Sequence, residues 1–288
     1  MDSLVVGLDC STTGAKAIAF DRGGTVAARA QEAIPLSSPK PHYYEQDPDD
    51  WWIAAQKALR QITSQIDPGK ISALAISNQR ETFVPLDTNG HSLRPAIMWL
   101  DERCKDEVEP FAKAIGRTRI HRITGKPVDY APVVYRLAWM KKHEPELFKN
   151  IDMICDVHTY VVWKLTGIFK TSWASADPFG MFDLKKKSWS RPILKALELK
   201  EDQLPETYRP GTILGTVSEE ASRSSGLNTN TLVVAGGGDG QAAGVGGNVL
   251  IPGRAYLNLG TAVVAGVYGK QYKTSFAEHS FRRAVPFH

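Results

Sequence analysis

Short apolar runs separated by polar turns dominate the start of the chain. Residues 3–8 form an apolar run typical of a buried strand, and similar runs follow at 15–20 and 25–31. Small and polar residues fill the connections at 9–14 and 21–24. Because tight connections favour antiparallel pairing of consecutive strands, the pattern predicts an opening three-stranded meander.

A helix is predicted after Asp47, whose side chain can accept hydrogen bonds from unpaired backbone N–H groups. Pro48 suits the first helical position because its fixed φ angle matches the helix. Apolar residues then recur at three- and four-residue steps and share one helical face: Trp52, Ala55, Leu59, Ile62 and Ile66. Residues 67–69 end the helix, and a strand is predicted at 71–77. This face predicts that Trp52 lies in the core.

The middle of the chain is mainly helical. Helices are predicted at 103–115, 132–142 and 156–166. Residues 172–180 have the composition of a loop. A strand at 232–235 then leads into a glycine-rich loop at 236–241, and a helix of small residues follows.

The end of the sequence repeats the strand–turn–strand pattern of the opening. After Gly253, residues 255–259 and 262–268 predict two strands joined by a Gly-Thr turn. Two such turns facing each other would form a phosphate clamp. We therefore place a domain boundary here, with a first domain at 1–250 and the start of a second at 251–288.

The composition is that of a globular protein, with 42% hydrophobic and 23% charged residues among 288. No apolar run approaches the roughly 18 residues that span a bilayer, and the first residues lack the features of a signal peptide. Three widely spaced cysteines predict neither a disulfide framework nor a metal site, and they favour a reducing, cytoplasmic location. The formal charge of +4 is scattered, so we expect neither nucleic acid nor a membrane as partner.

The turn at 9–14 (Asp-Cys-Ser-Thr-Thr-Gly) has residues suited to phosphate binding. Small residues let backbone N–H groups approach a phosphate closely, and hydroxyl groups add donors. Asp9 could hold Mg²⁺ through water, because Mg²⁺ keeps much of its hydration shell. The same residues would also form an ordinary hairpin turn, and the spacing is not that of a Walker A loop.

Two further segments could act on a sugar hydroxyl. Arg80 and Glu81 follow a predicted strand, at the end where open α/β sheets bind ligands, although a surface ion pair is the simpler explanation of this pair alone. Four glycines surround Asp239, whose carboxylate could accept a proton from a hydroxyl as its oxygen attacks phosphorus. The alternative for Asp239 is an aspartate tolerated in a left-handed turn.

In this order and at these separations, the segments resemble the FGGY family of carbohydrate kinases. The resemblance covers essentially the whole chain and is specific when its motifs are taken together. The matching motifs are the first phosphate motif at 4–20, the Glu-Gln-x-Pro motif at 45–48 with tryptophans at 51–52, the substrate signature at 78–82 with 99–103, the catalytic-base loop at 238–243 and the second phosphate motif at 259–261.

The resemblance implies an α/β, actin/hexokinase-like (RNase H-like) fold, with one complete sugar-binding domain and a truncated nucleotide-binding domain. It implies phosphorylation of a sugar or polyol with ATP as the phosphate donor and Mg²⁺ as the cofactor. A homodimer is a family-level expectation. By motif match, Asp239 is the catalytic base and a substrate ligand, and Asp9 faces Mg²⁺. The other candidates are Arg80, Glu81, Tyr130 and Gln241 for the substrate, and Thr12, Thr13, Lys16, Gly260 and Thr261 for the nucleotide.

The chain departs from the family pattern in three ways. Chains of the family are much longer, so most of the nucleotide domain would be missing and activity of this chain alone is in question. Ser11 and Ala262 stand where Gly and Ser are common, which could weaken phosphate contacts. The motif at 78–82 is similar to that of glycerol kinases, whereas 137–167 is more similar to xylulokinases. The substrate stays open among ketopentoses, polyols and glycerol, with a ketopentose such as xylulose favoured.

Two other functions compete with a kinase. A non-catalytic remnant would bind sugar without hydrolysing ATP. An actin-like ATPase would convert hydrolysis into a conformational change, but the Arg80–Glu81 pair and the segment around Trp99 count against it.

Overall fold

The computed structural model describes residues 3–259 and 263–270, which fold into an α/β arrangement around a mixed six-stranded sheet. The strands, numbered along the chain, are β1 Leu4–Cys10, β2 Gly14–Phe20, β3 Val26–Ala33, β4 Glu45–Gln46, β5 Ile71–Asn78, β6 Phe83–Leu86, β7 Ala96–Ile97, β8 Met153–Asp156, β9 Lys170–Ser172, β10 Phe182–Asp183, β11 Ser188–Trp189, β12 Glu206–Tyr208, β13 Ile213–Thr216, β14 Leu232–Gly238, β15 Ala255–Leu259 and β16 Val263–Val267.

Helices cover the sheet and build a second layer. They are α1 Pro48–Thr63, α2 Lys105–Ile115, α3 Arg117–Thr124, α4 Val133–His143, α5 Pro145–Lys149, α6 Val157–Thr166, α7 Trp173–Ala176, α8 Arg191–Leu197, α9 Glu219–Ser225 and α10 Asp239–Gly246, with single 3₁₀ turns at Pro68–Lys70, Asp177–Phe179 and Glu201–Gln203. Within the described residues, no helix combines the length and the apolar character needed to cross a bilayer.

The main sheet has the strand order β13-β14-β5-β1-β2-β3. β1, β2 and β3 pair antiparallel, as predicted, while β5 lies parallel to both β1 and β14. β1 is longer than predicted, because Asp9 and Cys10 pair with the end of β5 and so belong to the strand rather than to the turn. The parallel centre of the sheet therefore places the carboxyl ends of β1, β5 and β14 side by side.

Helix α1 packs on the sheet, and its start is as predicted. The Asp47 side chain accepts a hydrogen bond from the backbone N–H of Asp49 at 3.0 Å. The buried face differs from the prediction: Trp51 is fully buried and Trp52 only partly, since the helix turns small alanines as well as large apolar residues toward the core. The helix also ends at Thr63, so Ile66 lies beyond it.

Two segments predicted as loops are regular structure. Residues 172–180 contain α7 and a 3₁₀ turn, and the Ser172 hydroxyl caps α7 by accepting a hydrogen bond from the Ser175 N–H at 3.1 Å. In the glycine-rich segment, residues 236–238 continue β14 and Asp239 begins α10. Tertiary pairing with β5 extends this strand where glycine content alone predicted a loop.

Two hydrophobic clusters stabilise the fold. The first lies between the main sheet, α1 and α6, and the second surrounds α4 and α8. After residue 250, β15 and β16 pair antiparallel, which agrees with the two predicted strands, while the predicted Gly-Thr turn lies outside the described residues. The domain boundary itself stays a prediction.

We expect Trp51→Ala to lower the free energy of unfolding by about 3–5 kcal/mol, because it removes a fully buried ring. The indole N–H of Trp51 also donates to Gln46 Oε1 at 2.9 Å. Trp52→Ala is the matched control and should cost clearly less. Urea unfolding of the two variants checks this, and equal losses would contradict the assignment of Trp51 to the core.

Candidate active site

The predicted catalytic groups lie at one edge of the main sheet. Asp9 is the penultimate residue of β1, Arg80 follows β5, and Asp239 follows β14. Because these three strands run parallel and are neighbours, their ends bring the three side chains close together, in what we call the candidate cleft. The parallel strands thus place residues far apart in the sequence at one edge of the sheet, and their roles stay predictions.

Asp239 begins α10, and it is exposed, so a ligand can reach it. Nearby protein atoms displace part of the water around its carboxyl group, and this desolvation is the largest influence on the pKa of Asp239, which it raises. The charge of Asp9 adds to this rise, whereas a hydrogen bond from the Gly240 N–H and the charge of Arg80 oppose it. Asp239 has no positive φ angle, so it is not an aspartate in a left-handed turn. A reachable carboxylate with a raised pKa is suited to accept a proton.

Gly238 lets two polar side chains lie against the backbone beside Asp239. A Cβ atom at position 238 would be 2.4 Å from Arg80 Cδ and 2.5 Å from Gln241 Oε1, so only glycine fits. Gln241 is 9% exposed, and within the described residues neither its Oε1 nor its Nε2 has a hydrogen-bond partner. Since buried polar groups are normally paired, these atoms are well placed to bind ligand hydroxyls.

Glu81 is held in a strained conformation next to Arg80. Its φ angle is 55°, in the left-handed region that side chains such as glutamate rarely adopt. Burial lowers the pKa of Arg80, but the negative charges of Glu81, Asp177 and Asp239 outweigh it and raise that pKa. Arg80 therefore lies among carboxylates, and one of them belongs to a residue that the motifs do not include.

The turn between β1 and β2 rests on a polar network. The backbone carbonyl of Thr12 accepts a hydrogen bond from Gln46 Nε2 at 2.7 Å. The Thr12 hydroxyl donates to Gln79 Oε1 at 3.4 Å and accepts from the Trp99 indole N–H at 2.9 Å. The Thr12 hydroxyl is thus engaged by protein groups, while the Trp99 ring stays 43% exposed beside the turn.

Two other predicted phosphate ligands in or beside this turn are accessible. Thr13 and Lys16 are exposed, and Lys16 pairs directly opposite Asp9 across β1 and β2. Asp9 Oδ1 accepts a hydrogen bond from the Ser77 hydroxyl at 2.8 Å. Carboxylate oxygens of Asp9 and Asp239 in one cleft form a hard donor set, which is the chemistry that Mg²⁺ prefers.

Residues 4–246 match the family described as "FGGY family of carbohydrate kinases, N-terminal domain". The chain belongs to this family. It is 34% identical over 288 residues to the xylulose kinase of Escherichia coli (strain K12). The alignment covers 98% of this chain and 58% of that relative. The FGGY chain thus spans little more than half the length of this relative.

Solved kinase structures share the fold. The xylulose kinase from Rhodospirillum rubrum superposes with a TM-score of 0.90 at 28% identity, covering 94% of this chain and 56% of that one. The gluconate kinase from Lactobacillus acidophilus gives a TM-score of 0.87 at 28% identity. The superposition covers 92% of this chain and 54% of the gluconate kinase. These similarities confirm the predicted actin/hexokinase-like α/β fold of the FGGY chain.

Not every predicted residue joins the cleft in the described structure. Tyr130 is exposed, and its ring lies 5.0 Å from Lys105 Nζ at the start of α2, so its role rests on the resemblance alone. Gly260 and Thr261 lie outside the described residues, and so does the departure at Ala262.

His158 supports the strand that carries Asp239, and sequence reasoning assigned no role to this histidine. It is fully buried on α6, and its Nε2 accepts a hydrogen bond from the Gly236 N–H at 3.1 Å. Its Nδ1 lies 3.2 Å from the Thr171 hydroxyl. The register of β14 against β5 shifts between Val234 and Gly237, so His158 pairs with an N–H beside an irregularity in the sheet.

The geometry sets the protonation state of His158. Because Nε2 accepts a hydrogen bond, the neutral ring carries its proton on Nδ1 and donates it to Thr171. Burial lowers the pKa of His158 to about 3, which keeps the ring neutral. The hint in the sequence was one imidazole in a largely apolar helix, which is too weak a pattern to identify such a contact.

We expect His158→Phe to lower the free energy of unfolding by about 1–3 kcal/mol, because it leaves the Gly236 N–H without an acceptor. His158→Gln is the matched control, since its side-chain oxygen can still accept from Gly236. Urea unfolding and hydrogen exchange of the Gly236 amide check this. Equal protection of that amide in both variants would contradict the contact.

The pH dependence of stability provides a second test of His158. Below pH 6.5 the unfolded chain binds a proton at this residue that the folded chain does not bind until about pH 3. The wild type should therefore lose about 1.4 kcal/mol per pH unit relative to His158→Gln as the pH falls from 6 to 4. Parallel curves for the two proteins would show that the ring is not held neutral.

Proposed function

We propose that this chain is the sugar-binding half of a kinase that transfers the γ-phosphate of ATP to a hydroxyl of a sugar or polyol. The observation that carries the proposal is Asp239, reachable and with a raised pKa, beside Arg80 and Asp9 at the carboxyl ends of three parallel strands. Membership of the FGGY family and the named kinase relatives support it.

The cleft supplies three parts of an in-line phosphoryl transfer. Arg80, Glu81 and Gln241 bind and orient the hydroxyl-bearing substrate. Asp239 accepts the proton as the hydroxyl oxygen attacks phosphorus. Its raised pKa makes the carboxylate a stronger base than an ordinary aspartate. The backbone N–H groups and exposed side chains of the turn after β1 stabilise phosphate charge.

Mg²⁺ fits the oxygen donors of this cleft. Asp9 would hold it, with Asp239 the other carboxylate nearby, and water would complete its coordination. When bound, the ion would neutralise charge on the phosphate groups of ATP. Lys16, directly opposite Asp9, supplies a positive charge from the protein itself at the same place.

Xylulose is the favoured substrate, because the 34% identical relative is named as a xylulose kinase. Other ketopentoses, polyols and glycerol stay as alternatives, since the motif at 78–82 is of the kind carried by glycerol kinases. The domain boundary near residue 250, the homodimer and the cytoplasmic location stay predictions from the sequence.

We expect Asp239→Asn to retain sugar binding and to lose roughly 10²–10⁴-fold in turnover, because the amide cannot accept the proton. Calorimetry with xylulose measures binding. Phosphorylation is measured on the chain itself and on a fusion that continues it with the remaining part of the Escherichia coli relative. Asp202→Asn, an exposed residue of the Glu201–Gln203 turn, is the control. An unchanged turnover would remove Asp239 as the base.

A substrate panel separates the competing functions. Xylulose, xylitol and glycerol are each mixed with Mg-ATP, and both ADP release and binding are followed. Substrate-dependent ADP release supports the kinase, binding without ADP release supports a non-catalytic remnant, and ADP release without substrate supports an ATPase.

A further inference from the structure

A buried carboxylate outside the family motifs fixes the orientation of Arg80. Asp177 is fully buried in its 3₁₀ turn, and its Oδ2 lies 2.5 Å from Arg80 Nη2. The aliphatic part of Arg80 lies against the backbone of Gly238, where no side chain could fit. Arg80 is therefore held along its stem and at one amino group, and its side chain is only 16% exposed.

The second oxygen of Asp177 binds Lys126. The ammonium group forms an ion pair with Asp177 Oδ1, and its side chain is 1% exposed, so a ligand in the cleft does not reach it. Burial lowers the pKa of Lys126 to about 8, opposed by the charge of Asp177. Asp177 thus bridges a mostly buried cation, Arg80, and a fully enclosed one, Lys126. Removing one member would leave a buried charge without its partner.

This arrangement determines the charge that the cleft presents to a ligand. An arginine is a strong site for a carboxylate ligand when its charge is unpaired. Here Asp177 already pairs with Arg80, and the carboxylates of Glu81 and Asp239 also act on it. A neutral hydroxyl or carbonyl can accept hydrogen bonds from the remaining N–H groups of the Arg80 guanidinium. A ligand carboxylate would instead meet a compensated cation among negative charges.

We propose that Asp177, held in place by Lys126, makes the cleft selective for neutral ketoses and polyols and disfavours sugar acids. The inference rests on the proposed function, because it concerns the same substrate cleft. It addresses a choice that the fold leaves open, since the similar solved structures include both a xylulose kinase and a gluconate kinase.

The test measures dissociation constants of xylulose, xylitol and gluconate by calorimetry on the whole 288-residue chain. The wild type should bind xylulose and xylitol at least tenfold more tightly than gluconate. Asp177→Asn keeps the shape of the side chain but removes its charge, so the affinity ratio of gluconate to xylulose should rise roughly tenfold. Lys126→Met removes one of the two cations paired with Asp177, so the negative charge of Asp177 acts more strongly on Arg80 and the same ratio should fall.

Controls separate selectivity from folding. Asp202→Asn removes an exposed carboxylate and should leave the ratio unchanged. The double variant Asp177→Asn/Lys126→Met removes both fully enclosed charges together and leaves Arg80 near the charges of Glu81 and Asp239, so it tests the proposal if a single variant fails to fold. Its ratio should still shift toward gluconate, because Asp177 contacts Arg80 directly and Lys126 does not reach the cleft.

The outcomes distinguish this inference from the function on which it rests. If the wild type binds xylulose but the gluconate ratio stays unchanged in Asp177→Asn and in the double variant, the selectivity role of Asp177 is wrong and the kinase proposal stands. If the wild type binds none of the three ligands, the proposed function fails and this inference fails with it.

Discussion

The close parallel contact between β5 and β14 is the constraint on which the cleft depends. A Cβ atom at Gly236 would lie 1.8 Å from the Ile76 carbonyl oxygen, and one at Gly238 would lie 2.4 Å from Arg80 Cδ. Glycine at both positions lets the strands approach and lets Arg80 lie beside the start of α10. The glycines of this segment therefore serve a packing function, and the position of Asp239 relative to Arg80 follows from it.

A network of paired polar groups fixes the turn after β1 against the end of β5. The Gln46 amide donates to the carbonyls of Thr12 and Pro35 and accepts from Trp51 and Gln79. One buried side chain thus connects the turn, the first helix and the end of β5. Such a fully satisfied network reduces the reorganisation needed when a ligand binds.

Buried charge, as well as hydrophobic burial, shapes this FGGY-family chain. Lys126 and Asp177 are enclosed almost completely, which is costly unless each keeps its partner. His158 meets a similar problem differently, since it stays neutral and pairs with a backbone N–H. Both arrangements contact segments of the candidate cleft, since Asp177 pairs with Arg80 and His158 accepts from the strand that leads to Asp239. The buried polar groups therefore hold these segments in place.

Local turn chemistry, capping residues and short motifs were enough to predict the opening meander, the start of α1 at Asp47 and Pro48, and the segments that carry Arg80 and Asp239. The tertiary structure alone decided that Trp51 rather than Trp52 is buried, since small alanines complete the buried face. It also decided the His158–Gly236 contact and the Lys126–Asp177–Arg80 cluster. Those partners lie 51 to 97 positions apart, so no local pattern encodes their pairing, and only the packing of the sheet against its helices brings them together.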